Sequence, residues 1–138
     1  MSKLLIDTNV VLDLLAKRDP YYDYAARLFS LADNNKLKLT VSALTFANTN
    51  YVLSRLKTDT EAREILRRFK ILVRVLSLND KIVSLSLNDN NFDDFEDGLQ
   101  YYTAIENGQD VIITRDLKDF KKAKIPVMTA EEYLVSLD

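Results

Sequence analysis

Apolar and polar positions follow two periods along this chain, and the changes between them predict short strands alternating with amphipathic helices. Residues 3 to 6, KLLI, read as a short buried strand, and after the polar triplet Asp7-Thr8-Asn9 the apolar positions Val10, Val11, Leu14 and Leu15 fall at helical spacing. The expectation is strand, polar turn, helix. In RDPYYDYAARLFSLADNN, Asp19 is placed as an N-cap and Pro20 as the first helical residue, with a stop at Asn34-Asn35. LKLTV, residues 37 to 41, is the next strand, and Leu44, Ala47, Tyr51 and Leu56 set a helix from Ser42 to about Lys57.

Thr58 and Glu61 form a capping-box pattern that opens a helix running to about Leu72. Its apolar stripe is Ala62, Ile65, Leu66, Phe69 and Leu72, opposite a basic stripe of Arg63, Arg67, Lys70 and Arg74. VRVLSL, residues 73 to 78, is extended and precedes a helix from about Asn79 to Leu87. The acidic stretch NDNNFDDFEDG leads into a helix stopped at Gly108, DVIIT suits a strand buried on both faces, IPVM is the last strand, and Thr129 with Glu132 caps a C-terminal helix. Strands alternating with helices predict a parallel sheet covered on both sides. With no repeat, no low-complexity tract and only two Gly, residues 1–138 are expected to form one domain.

Composition narrows the chemistry. The 138 residues include no Cys, so no disulfide or thiolate site exists, and no His, which excludes Ser-His-Asp catalysis, imidazole bases and His-ligated zinc. No apolar stretch reaches the roughly 20 residues that span a bilayer and the N-terminus lacks a signal-peptide pattern, so a cytoplasmic protein without membrane contact is expected. With 21 acids against 19 bases the net charge is −2, so any nucleic-acid binding must come from a local patch.

In a parallel sheet, ligands bind beyond the carboxyl ends of the strands. Asp7 follows the first strand, Arg115 and Asp116 follow VIIT with Asp119 shortly after, and Asp94, Glu96 and Asp97 open the helix that feeds that strand. Each acid taken alone has a plain structural reading as a cap or a solvated turn. Taken together, acids from distant segments meet at one sheet edge, where like charges raise one another's pKa unless a cation neutralises them. Oxygen donors without His or Cys favour Mg²⁺ or Mn²⁺, ions that activate water against a phosphodiester. An EF-hand begun at Asp89 would put Asp94 at the Gly position and Gln100 at the bidentate Glu position, and is rejected; an aspartyl phosphatase would need an acid where Asn9 stands.

LLIDTNVVLD near the start, DFEDGLQYYTA, and VIITRDLKDF directly after it resemble the PIN-domain family of metal-dependent ribonucleases, over essentially the whole chain in order. The resemblance implies a three-layer α/β/α sandwich with a central, mainly parallel sheet, acids holding Mg²⁺ or Mn²⁺, and hydrolysis of RNA. It further implies similarity to the toxin component of type II toxin–antitoxin pairs, often dimeric and inhibited by an antitoxin protein. Matched onto this chain, the catalytic and metal-binding acids are Asp7, Asp97 and Asp116, with Asp94 and Asp119 as nearby helpers and Thr8, Asn9 and Thr114 as hydrogen-bonding supports. The family's second acid, a Glu, is here Asn48, and no Asp or Glu stands between Asp33 and Asp59. An Asn carbonyl can ligate but brings no charge, so weaker metal binding is expected. Two function classes stay open: a ribonuclease, and a PIN-like module that binds RNA or protein without cutting.

Arg115, Lys118, Lys121, Lys122 and Lys124 are candidate phosphate contacts beside Asp116, with a solvated basic turn as the alternative; Arg115 is equally read as a partner of Asp119. Tyr21, Tyr22, Tyr101 and Tyr102 are read as core residues with wet hydroxyls in preference to base-stacking platforms.

Overall fold

Burial alternates along the first strand, β1 (Lys3–Ile6): Leu4 and Ile6 enter one apolar cluster and Leu5 enters another, all fully buried. A strand with both faces covered must lie inside a layered fold. The computed structural model describes residues 1–138. After β1 come α1 (Thr8–Leu15), α2 (Tyr22–Asp33), β2 (Lys38–Ser42), α3 (Ala43–Leu56), α4 (Asp59–Leu72), β3 (Arg74–Leu76), α5 (Asp80–Leu87) and α6 (Phe95–Glu106). Then follow β4 (Val111–Ile113), a 3-10 helix (Leu117–Phe120), β5 (Val127–Met128) and α7 (Ala130–Ser136).

The five strands are all parallel, in the order β3-β2-β1-β4-β5, so the expected mainly parallel sheet is wholly so. The larger cluster packs α1, α2, α4 and α7 on one face through Val10, Val11, Leu28, Phe29, Phe69 and Tyr133. The other face is covered by α6 and the 3-10 helix, with Tyr101, Ala104 and Phe120 around Leu5 and Ile112, and α5 packs on α6. Burying each such aliphatic side chain stabilises by about 1.5–3 kcal/mol. A small third cluster, Leu53, Ala62 and Leu66, ties α3 to α4.

Side-chain caps start most helices where the sequence places them. Ser42, Thr58, Asn79 and Asp94 accept backbone N–H groups, and Thr129 with Glu132 forms a complete capping box; such caps contribute about 1 kcal/mol each. Gly108 has φ +62°, the left-handed stop expected of it.

Four expectations are corrected. The polar triplet is not a turn: Thr8 and Asn9 already lie in α1, because the Asp7 side chain caps the helix at once. The second helix starts at Tyr22, not Pro20; Tyr21 and Tyr22 both donate to the Arg18 carbonyl in a turn that includes the cis Asp19-Pro20 bond. Arg74 is the first residue of β3 and so leaves the basic helix stripe, whose other members are exposed. The turn after Asp116 is a 3-10 helix that buries Phe120.

Candidate functional site

Register brings the first pair of site residues together. Ile6 of β1 pairs with Ile113 of β4, so the residues that follow, Asp7 and Thr114, are neighbours at the carboxyl edge. Asp7 Oδ2 accepts from the Thr114 hydroxyl at 2.9 Å, and Oδ1 accepts from the Thr8 N–H at 2.8 Å. Thr114 Oγ1, fully buried, in turn accepts from the Asp116 N–H at 3.1 Å and from Asn9 Nδ2 at 3.4 Å. Asn9 Nδ2 also donates to Asp116 Oδ2 at 3.0 Å. One chain of bonds thus joins Asp7, Thr114, Asn9 and Asp116 across β1, α1 and β4.

Asp97 comes from the first turn of α6, whose start is set by the Asp94 cap. Burial pushes its carboxyl up to about 7, reinforced by repulsion from Asp7, Asp94, Asp119 and Asp116. Burial likewise raises Asp7 above its ordinary 3.8, against the opposing hydrogen bonds from Thr114 and Thr8, with Asp116 and Asp119 adding repulsion. The acids therefore share one electrostatic neighbourhood, although no three of them converge on a single point as the side chains stand. A set of carboxylates and oxygen donors that repel one another, in a chain lacking His and Cys, fits a hard divalent cation. Asp7, Asp97 and Asp116 are the residues that would hold it.

The α3 side of the site is neutral. Asn48 lines a cavity of about 260 Å³ together with Asp7, Thr8, Tyr51, Glu96, Asp97 and Gln100. Thr8 Oγ1 lies 3.0 Å from Thr45 Oγ1, and Gln100 Nε2 donates to Thr45 Oγ1 at 3.0 Å. Thr8 therefore supports the site through its backbone N–H, while its side chain belongs to this hydroxyl and amide network. Gln100 Oε1 and Thr49 Oγ1 are buried without a partner.

The remaining candidates lie further out. Asp94 Oδ1 is engaged by the Glu96 N–H as the helix cap, so the Asp94 side chain acts on the Asp97 carboxyl through its charge. Asp119 sits exposed in the 3-10 helix, and Lys118, Lys121, Lys122 and Lys124 are exposed around it without ion pairs of their own.

Arg115 pairs with Asp13, not Asp119. Asp13 is 1% exposed, and its Oδ1 accepts from Arg18 Nε at 3.1 Å. Its Oδ2 lies 2.9 Å from Arg115 Nε in an ion pair whose N–H is not aimed for a hydrogen bond. Arg18 also donates to the Asn9 carbonyl at 3.0 Å, and the Arg115 guanidinium stacks 4.0 Å from the Tyr21 ring centre. Sequence reasoning passed over Asp13, although the signal was present as a charge at a core position of α1, one turn after Val10. It also placed Tyr21 in the core, whereas the ring is 42% exposed; Tyr101 is the buried one, with its hydroxyl accepting from the Lys124 N–H.

Residues 3–118 match the family model described as PIN domain, and the parallel sheet with acids at its carboxyl edge agrees with that match, so the chain belongs to the PIN-domain family. A relative, Ribonuclease VapC1 of Aquifex aeolicus (strain VF5), is 30% identical over 135 residues, covering 96% of this chain and 93% of the relative. Among solved structures, FitAB bound to IR36 DNA fragment superposes with TM-score 0.71 at 19% identity, covering 92% of this chain and 94% of that one. The Mycobacterium tuberculosis VapC20, described as a Sarcin-Ricin loop cleaving toxin, gives TM-score 0.69 at 18% identity over 88% and 95% of the two chains. VapBC2 from Rickettsia felis, bound to a DNA fragment from its promoter, gives TM-score 0.66 at 19% identity over 91% and 96%. At these identities the solved structures establish a shared fold.

Proposed function

We propose that this chain is a divalent-metal-dependent endoribonuclease of the VapC kind, the toxin half of a toxin–antitoxin pair. The observation that supports the reading is the shared electrostatic neighbourhood of Asp7, Asp97 and Asp116 at the carboxyl edge, with Asp97 raised to about 7 by burial first and by repulsion from the neighbouring acids. The relationship to a protein named as a ribonuclease supports the substrate class.

The chain's own residues do the positioning. Thr114 and the α1 N-terminus fix the Asp7 carboxylate, and Asn9 fixes Asp116, so both present defined oxygens at the edge. A bound Mg²⁺ or Mn²⁺ supplies the charge that lets these acids coexist, and the Lewis acidity that favours attack on a phosphodiester. Arg115 and the lysines after Asp116 offer the cations that draw an RNA backbone to the acids. A cognate antitoxin and a second copy of the chain are the proposed protein partners. Exposed apolar side chains such as Ile71, Leu87 and Val135 are surface that such partners would cover.

Asn48 favours a second reading, a PIN-like module that binds without cutting, because it leaves the α3 side of the site without charge. RNA cleavage with and without Mn²⁺ separates the two, comparing the parent chain with Asp7→Asn and Asn48→Glu. Mn²⁺-dependent cleavage by the parent, absent from Asp7→Asn, is expected. No cleavage by the parent overturns the ribonuclease reading, and cleavage only by Asn48→Glu supports the binding module.

A further inference from the structure

A second cavity, of about 440 Å³, shares Asp116 with the acid cluster and lies between α1, the turn before α2 and the start of α7. Its walls include Asp13, Tyr21, Tyr24, Arg115 and Glu131. The volume is that of a small-ligand pocket. What distinguishes it is the way Arg115 is held.

Arg115 is fixed on three sides: Asp13 faces its Nε, the Tyr21 ring covers one face of the guanidinium, and its backbone N–H donates to Asn9 Oδ1 at 3.3 Å. No guanidinium N–H of Arg115 is hydrogen-bonded within the chain. Asp13 is shared by Arg18 and Arg115, so two guanidinium groups face one buried carboxylate, and Arg115 is the one cation among the cavity's lining residues. Burying a carboxylate is costly, and a side chain needed only for solubility would not be oriented by one. A planar, pre-oriented guanidinium with free donors is suited to the two oxygens of a phosphate. The exposed Tyr21 ring stacked on it extends an aromatic surface on which a base can lie.

We propose that this cavity is an RNA subsite that holds the nucleotide next to the scissile phosphate, with its phosphate on Arg115 and its base against Tyr21. Arg115 and Asp116 are consecutive residues, so adjacent phosphates of one strand can reach the guanidinium and the acid cluster together. Asp13 is the positioning residue, setting the angle of Arg115. The carboxylate of Glu131 on the cavity wall disfavours a second phosphate there and suits a base that presents an amino group. The proposal rests on the ribonuclease reading for its ligand but not for its measurement.

The test is fluorescence anisotropy of a short labelled single-stranded RNA in EDTA, where no metal-dependent cleavage occurs, for the parent chain, Arg115→Gln, Arg115→Lys and Tyr21→Leu. Arg115→Gln is expected to weaken binding about tenfold or more and to lower the salt slope by about 0.7. Arg115→Lys restores the slope but not the affinity, because an ammonium lacks the planar fork. Tyr21→Leu, a change to an exposed ring, is expected to weaken binding about tenfold and serves even where Arg115→Gln fails to fold. Equal affinities for the parent and Tyr21→Leu overturn the proposal, as does a folded Arg115→Gln that binds like the parent or a parent that binds no RNA. If the parent cleaves RNA with Mn²⁺ while these variants keep their affinity and KM, the ribonuclease reading stands and the subsite falls. If binding depends on Arg115 and Tyr21 but no cleavage occurs, the subsite stands and the ribonuclease reading falls.

Discussion

The two walls of the sheet edge are built on opposite terms. On one, Asp7, Thr114, Asn9 and Asp116 form a continuous run of hydrogen bonds in which each carboxylate has a donor. On the other, Thr8, Thr45, Asn48 and Gln100 offer only hydroxyls and amides, and Gln100 Oε1 and Thr49 Oγ1 lack partners altogether. Charge-assisted hydrogen bonds are roughly twice as strong as neutral ones, so the first wall is the rigid one. In the proposed cation site, affinity would therefore come from one side of the cleft, with Asp97 as the acid that closes it.

The most damaging change to the charged wall is Asp7→Asn, which keeps a side-chain oxygen at the helix start but removes the charge. Mn²⁺-dependent RNA cleavage is expected to fall on the order of a thousandfold. Thermal stability without metal should rise in the same variant, because burial disfavours the Asp7 charge. Cleavage by the variant at the parent's rate would remove Asp7 from the site.

Next in size is Asp13→Ala, which leaves Arg18 and Arg115 without their shared partner. A loss of about 3 kcal/mol is expected from urea unfolding, at the low end for a buried pair because both arginines are partly wet. A change under 1 kcal/mol would mean that the arginines simply turn to solvent.

Asn48→Glu makes the neutral wall charged and so tests the contrast itself. Mn²⁺ affinity should rise about tenfold, since ligand charge sets the affinity of an oxygen-donor site. Calorimetry that finds no gain would place Asn48 outside the ion's reach.

The smallest expected effect is on pH dependence. Folded, Asp97 keeps its proton to about 7; unfolded, it releases it near the ordinary 3.8, so the native state binds more protons between those values. Stability therefore declines as pH rises through that window and levels off above it, shallowly because Asp97 is partly exposed. Buried Asp7 adds a contribution of the same sign. Urea midpoints across the window read the slope, and Asp97→Asn should flatten it.

Much of the fold was legible because its signals are local. Aliphatic runs such as VIIT, caps such as Thr58 and Thr129, and Gly108 each act within a few residues, and the elements they predict are present. The start of α2 was misread because Asp19-Pro20 fits a helix opening as well as it fits the turn it forms. The pairing of Asp13 with Arg115 was illegible for a different reason: it joins α1 to the end of β4, and only the β1–β4 register brings them together. Asp94 shows a further limit, since a cap and a metal ligand call for the same residue at a helix start, and its hydrogen bond to Glu96 makes it a cap.

Acids that follow β1, open α6 and follow β4 are proposed to act as one cation site although Asn48 contributes no charge. Isothermal titration of Mn²⁺ into the parent chain, Asp7→Asn and Asp97→Asn, above pH 7, tests it most directly. Saturable binding by the parent is expected, accompanied by release of the Asp97 proton as the titration is moved down toward pH 7, with loss of that binding in both variants. Equal Mn²⁺ binding by all three proteins, or none by the parent, would contradict it.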